Sequence, residues 1–323
     1  MSKYFSNGMQ CIYLDQYAVS NICDIPDGNW AEISRLIKRG VKLKRIICPL
    51  SIEHLIETSG KPIDKAAKHD EEFKKLSFGW SFYPEPEISA YHIICRLRSI
   101  KKTKHHFIRK KKGKALAEGD IHSSFRELKN IFDEMIGDIA EPLNKIRQVT
   151  RVGPKSNRAS RDSLVTIIKQ KQANHLIERM DSLSRYGKYE PKFIQLAGHT
   201  IPFWADTLCF ILTEKHKMTK EEAFQLKHIL SKEGIDSIPS ISIRASLEAM
   251  LAHKQANESP NDHIDIMRIS GALPFADVMV VDGPKAADIR ELGLDSKYNT
   301  AVYSGKLKEI DHLRNHLSTI NSG

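Results

Sequence analysis

Strand-forming sequence is scarce in this chain and confined to its two ends. In residues 11–57, "QCIYLDQ" is a short apolar strand ending at Asp15, and "NWAEISRLIKRG" is an amphipathic helix closed by Gly40. "LKRIICPLS" follows as a second buried strand, and "SIEHLIET" opens a second helix with Ser51 as its N-cap. Residues 262–318 resume the alternation. A helix around "DHIDIMRISGA" leads into strand "ADVMVVD", helix "PKAADIRELGL", strand "YNTAVYS" and helix "KLKEIDHLRNHLSTI". Between the ends there is hardly any strand pattern. "SFRELKNIFDEMIGDIAEPLNKI", "SLVTIIKQKQANHLIERMDSL", "FWADTLCFILTEKH" and "KEEAFQLKHILSKEG" all carry helical spacing. Neither end has enough strands to complete a doubly wound sheet. The expectation is one α/β domain of three layers with a mostly parallel sheet, assembled from residues 1–60 and 260–323. A large all-helical insertion, residues 61–259, interrupts it.

Composition narrows the classes of function. The 323 residues, 41% of them hydrophobic, suffice for a sizeable core. No apolar run approaches the ~20 residues of a membrane helix. "MSKYFSNGMQ" lacks the apolar segment of a secretory signal, so a cytoplasmic protein with no membrane partner is expected. Five scattered cysteines without metal-ligand spacing suit buried thiols in a reducing compartment.

The net charge of +10 favours a polyanionic partner such as nucleic acid. Residues 101–114, "KKTKHHFIRKKKGK", concentrate that charge, with Phe107 and two histidines interleaved. Arg109, Lys110, Lys111 and Lys112 are the candidate nucleic-acid contacts, against the plain reading of a solvated basic loop. "RVGPKSNRASRD", residues 151–162, is a second and weaker basic stretch, and Phe203 and Trp204 read as core.

The carboxylates follow the strands. In an open parallel sheet the functional crevice lies beyond the carboxyl ends of the strands. Asp15 ends the first strand and Asp282 ends "ADVMVV"; Glu57 lies a turn into the helix after the second strand, and Asp265 lies near the start of the helix before "ADVMVV". Several carboxylates in one crevice repel unless cations offset them. Oxygen ligands without His or Cys select hard ions, Mg²⁺ or Mn²⁺, which activate water and stabilise a leaving oxygen in phosphodiester hydrolysis. Each residue also has a plain structural use. Asp15 could cap the next helix, Asp262 suits a helix first turn, Asp277 could start a strand, and Asp282 precedes Gly283 in a turn. His54, on an apolar helix, reads as a packed, hydrogen-bonded histidine.

Together "IYLDQ", "ICPLSIEHLIE" and "DIMRISGALPFADVMVVD" resemble a PIN-like nuclease over roughly the first 60 and last 65 residues. The insertion carries no such resemblance. It implies a PIN-like fold with an acidic metal site of Asp15, Glu57, Asp265 and Asp282. Glu53 stands as the alternative to Glu57, and the "LPFAD" turn adds Asp277 as a further ligand. It also implies an Mg²⁺- or Mn²⁺-dependent endonuclease acting on RNA ahead of DNA, in a toxin or anti-phage role, with a regulatory or antitoxin-type protein partner. The alternative is an inactive PIN-like nucleic-acid-binding or scaffolding protein. A haloacid-dehalogenase-like phosphatase needs Asp-x-Asp after the first strand, and Asp15 is followed by Gln16 and Tyr17.

Overall fold

The computed structural model describes residues 8–25, 27–110, 126–131, 133–134, 137, 141, 144–145, 158–187, 189, 191–196, 199–254 and 257–322. The chain forms two compact units. The first comprises Met1–Tyr83, Thr103–Asn130 and Ala272–Gly323, and the second Pro84–Lys102 and Ile131–Gly271. The α/β unit thus reaches past residue 60 and takes in part of the expected insertion, while most of the helix Pro260–Ala272 belongs to the second unit.

The first unit is α/β. Its elements are β1 (Gln10–Leu14), α1 (Gln16–Asp24), α2 (Gly28–Lys42), β2 (Ile46–Ile47), α3 (Ile52–Ser59), α4 (Ile63–Ser77), β3 (Trp80–Phe82) and β4 (Ile108–Lys110). After the second unit come β5 (Val278–Val280), α5 (Gly283–Glu291), α6 (Leu294–Tyr298), β6 (Ala301–Tyr303) and α7 (Leu307–Ser322). Four strands form a parallel sheet in the order β2-β1-β5-β6. The strand from one end of the chain pairs directly with a strand from the other, Ile12 facing Val278 and Leu14 facing Val280.

Alternation along the strands sets the layers. Ile12, Leu14, Ile46, Val278 and Val280 share a core with Val19 of α1, Ile33 of α2, Phe73 of α4 and Leu313 of α7. Cys11, Tyr13, Ile47 and Met279, the intervening residues, are buried as well. Tyr13 meets the rings of His54 and Phe82 at 5.6 and 6.3 Å. A strand buried on both faces explains why "CIYL" and "VMVV" are continuous apolar runs.

Two local expectations fail for physical reasons. Gly40 does not close α2, which continues to Lys42. Gly40 is buried where a Cβ would collide with the Ile46 side chain, so the glycine serves close helix–strand approach; Lys44, at φ 56°, makes the left-handed exit. Strands also occur inside residues 61–259. β3 pairs antiparallel with β4 and joins the chain after β2, Leu50 N–H donating to Trp80 O at 3.1 Å and Phe82 N–H to Leu50 O at 2.7 Å. A second hairpin pairs Phe193–Leu196 with His199–Pro202.

The second unit is mainly helical, with helices Glu85–Leu97, Arg158–Tyr186, Lys220–Glu233 and Pro239–His253. Its core includes Ile93, Leu176, Met180, Leu208, Leu226 and Ile241. Buried charge is neutralised within it. Asp206 faces Arg179 at 3.3 Å and accepts from Lys192 N–H at 2.7 Å and from the Tyr189 hydroxyl; Glu85 accepts from Arg244 at 2.8 Å. Among the described residues no helix is long and apolar enough to cross a membrane.

Candidate functional site

The carboxyl ends of β1 and β5 bring two of the expected acids together. Leu14 pairs with Val280, and Asp15 N–H donates to Val280 O at 2.9 Å. Adjacent strands lie ~4.8 Å apart. Asp282 therefore stands one residue beyond the position opposite Asp15. Each aspartate also caps the helix after it. Asp15 Oδ1 accepts from Gln16 N–H at 2.7 Å at the start of α1, and Asp282 Oδ1 accepts from Lys285 N–H at 2.8 Å at the start of α5. Helix N-termini favour negative charge, so the two dipoles help hold the acids in place.

The two charges nevertheless oppose each other. The Asp282 carboxyl is held above the usual carboxylate range, first by burial and then by the negative charge of Asp15, with Asp288 adding to it. The Lys285 backbone N–H and ammonium act the other way without reversing the direction. Asp288 is the acid that sequence reasoning missed. Its signal was the spacing Asp282, Lys285, Asp288, which repeats every third residue and puts all three along one side of α5.

Helix α3 crosses the end of β1. Ser51 N–H donates to His54 Nδ1 at 3.0 Å, which leaves the ring proton on Nε2 to donate to Leu14 O at 2.8 Å. His54 is thus buried and bonded at both nitrogens, in line with the packed histidine expected. Gln16 of α1 reaches Thr58 Oγ1 of α3 at 3.3 Å. Leu14 and Gln16, on either side of Asp15, are therefore tied to His54 and Thr58. Glu57 sits beside that helical face, half-buried, and Glu53 lies one turn earlier and is buried.

The remaining expected ligands have partners of their own. Asp277 begins β5, at the other end of that strand from Asp282. Its N–H donates to Cys11 O at 2.8 Å and its Oδ2 accepts from Cys11 N–H at 2.8 Å, a reciprocal pair that fixes the register of β1 and β5. Five steps of extended chain, ~17 Å, lead from it to Asp282. Asp277 thus belongs to strand pairing and not to the acid pair. Asp262 closes a capping box at the start of Pro260–Ala272, accepting from Ser259 N–H at 3.1 Å and Oγ at 2.7 Å. Asp265, in the second unit, forms an ion pair with the buried Arg268.

The donors at the acid pair are all oxygens, which suits a hard cation in kind. In arrangement, the described residues contain no group of three or more His, Cys, Asp or Glu side chains placed to hold a metal ion.

The basic segment divides. Lys110 is exposed on β4, and Arg109 lies 5.3 Å from the centre of the Tyr83 ring. Lys111 and Lys112 lie outside the described residues. Phe107 is fully buried and stacked on Phe275 with ring centres 4.0 Å apart, so it anchors this segment to the core and offers no face to a base.

No family model, no curated protein and no solved structure matches this chain.

Proposed function

We propose that the chain is a metal-dependent nuclease of the PIN-like kind, hydrolysing phosphodiester bonds in RNA ahead of DNA. The observation that carries this reading is the pairing of Asp15 with Asp282 at the carboxyl ends of adjacent parallel strands, where each charge opposes the other. Asp15 and Asp282 are the two groups that would hold Mg²⁺ or Mn²⁺, with water and substrate phosphate as the further ligands, and an ion bound there would supply activated water and charge neutralisation at phosphate. The protein's own contribution is to fix both carboxylates on helix N-termini, so that little reorganisation is needed when a cation arrives. Asp265 and Asp277 have no part in this version of the site. A toxin or defence role, a regulatory protein partner and a cytoplasmic location belong to the same proposal.

The test is incubation of the purified protein with RNA and DNA pools in Mg²⁺, Mn²⁺ or EDTA, beside Asp15→Asn. Cleavage of RNA that needs the metal and disappears in the variant supports the proposal. Cleavage unchanged in Asp15→Asn, or none under any metal, sinks it.

A second reading, nucleic-acid binding without cleavage, has its own observation. Both aspartates already serve as helix caps, and the Lys285 ammonium lies close enough to act on Asp282. Binding of RNA with no cleavage in either metal would favour it.

A further inference from the structure

Within the α/β unit a cavity of about 340 Å³ opens between the turn after α2 and the β3–β4 pair. Its wall is apolar, with Ile46, Leu76 and the rings of Phe78 and Trp80. Lys42, Lys44 and Lys110 share the lining, which among the described residues includes no carboxylate. One of these cations, Lys110, and a further lysine outside the lining, Lys104, lie beside the rings. Lys110 Nζ is 5.6 Å from the centre of Phe78 and 5.8 Å from that of Trp80, and Lys104 Nζ is 5.5 Å from Trp80.

Phe78 is the unusual member. It ends α4 in the left-handed region, at φ 51°, although Gly79 stands next to it, and its side chain is 67% exposed. A bulky residue rarely adopts that backbone, and here core packing does not require it. An exposed ring held in a costly conformation over an apolar recess, with lysines on the rim, suits a ligand with a flat body and an anionic tail. The volume lies at the small end of ligand pockets.

We infer that this cavity binds one unpaired nucleotide of a single strand, its base against Phe78 and Trp80 and its flanking phosphates on Lys42, Lys44 and Lys110. A strand fits better than a free mononucleotide because the cations come from separate segments, at 42–44, 104 and 110, and so track a repeated charge. The cavity is separate from the acid pair. It is lined by Met9, six residues before Asp15 along the same strand, or ~20 Å of extended chain. The inference rests on the nucleic-acid partner of the proposed function and not on its chemistry.

The experiment is fluorescence anisotropy of a labelled six-nucleotide single-stranded RNA with the full chain in EDTA, repeated across salt concentrations. Phe78→Ala should weaken binding between about fivefold and about 150-fold and leave the salt slope unchanged, because it removes stacking alone. Phe78→Tyr should restore affinity. Lys44→Ala with Lys110→Ala should lower the slope by about 1.4, two phosphate contacts at ~0.7 each on single strands. Binding is read in EDTA and cleavage only with metal, so a failure of this inference and a failure of the nuclease reading are told apart. Unchanged affinity in Phe78→Ala, equal affinity for a duplex of the same sequence, or displacement by adenosine monophosphate at equimolar concentration each overturns it.

Discussion

The two units treat buried carboxylates in opposite ways. In the helical unit Asp206 has Arg179, a tyrosine hydroxyl and a backbone N–H around it, and Glu85 has Arg244. In the α/β unit Asp15 and Asp282 accept from backbone N–H groups at the ends of adjacent strands, and the net effect on Asp282, with the Lys285 ammonium acting against it, is to resist ionisation. Carboxylates matched by their own cations belong to the structure of a unit. Carboxylates whose charges oppose each other at strand ends store repulsion that a third, positive species would relieve.

The largest expected effect is in the helical unit. Asp206→Ala strands the largely buried Arg179 and removes the acceptor of two further donors, so unfolding free energy should fall by about 3–5 kcal/mol, read by denaturant titration. A loss below about 1 kcal/mol would erase the contrast, since the buried pair would then be no firmer than a surface one.

A smaller effect tests an ion pair in the α/β unit. Arg290 donates to Glu309 at 2.8 Å, and Ser304 N–H donates to the same carboxylate. The guanidinium holds the Glu309 carboxyl down at about 2. A depressed carboxyl stabilises the fold above its ordinary range, and that contribution is lost as pH falls from about 4.5 through about 2. Arg290→Ala should cost about 1 kcal/mol at neutral pH, after allowance for the pair's partial exposure. The difference from the parent should close over that acid window. A difference that persists at pH 2 would assign the loss to packing.

The smallest effect has the opposite sign. For Asp282 the folded-state value is raised, so ionisation costs stability, and stability declines as pH rises through it. Asp282→Asn keeps a capping side chain and removes the charge. Thermal melts should show a higher Tm for the variant at pH 7 and a shrinking gain as pH falls toward the ordinary aspartate range. A lower Tm at pH 7 would mean the charge is compensated as fully as that of Asp206.

The frame of the α/β unit was legible because strands buried on both faces write themselves as apolar runs. "CIYL" and "VMVV" announced β1 and β5, and the acids closing them followed by position. What escaped has physical causes. β3 and β4 span three residues each, too few to show a period. Asp277 was placed with the acids although a parallel sheet puts residues before and after one strand at opposite ends. Asp265 had an arginine three residues on, within reach on the same helix, and that pairing was readable. Asp288 closes no strand; it lies inside α5, and its burial depends on how that helix packs. Nothing in the sequence placed Phe78 on a left-handed residue beside a recess, because that depends on where α4 ends against β2.

The pairing of β1 with β5 also sets an order of events at the ribosome. Asp277 N–H donates to Cys11 O and the Asp277 carboxylate accepts from Cys11 N–H across 266 positions of chain, so synthesis must pass residue 277 before the central strands can meet. Loop closure on that scale is slow, and until it happens β1 carries an open apolar edge that invites strangers. The second unit, whose segments lie nearly all within residues 84–271, can condense in the meantime. Synthesis slowed between residues 131 and 271, after β1 has emerged and before β5, should therefore increase aggregation more than the same delay placed within residues 1–9.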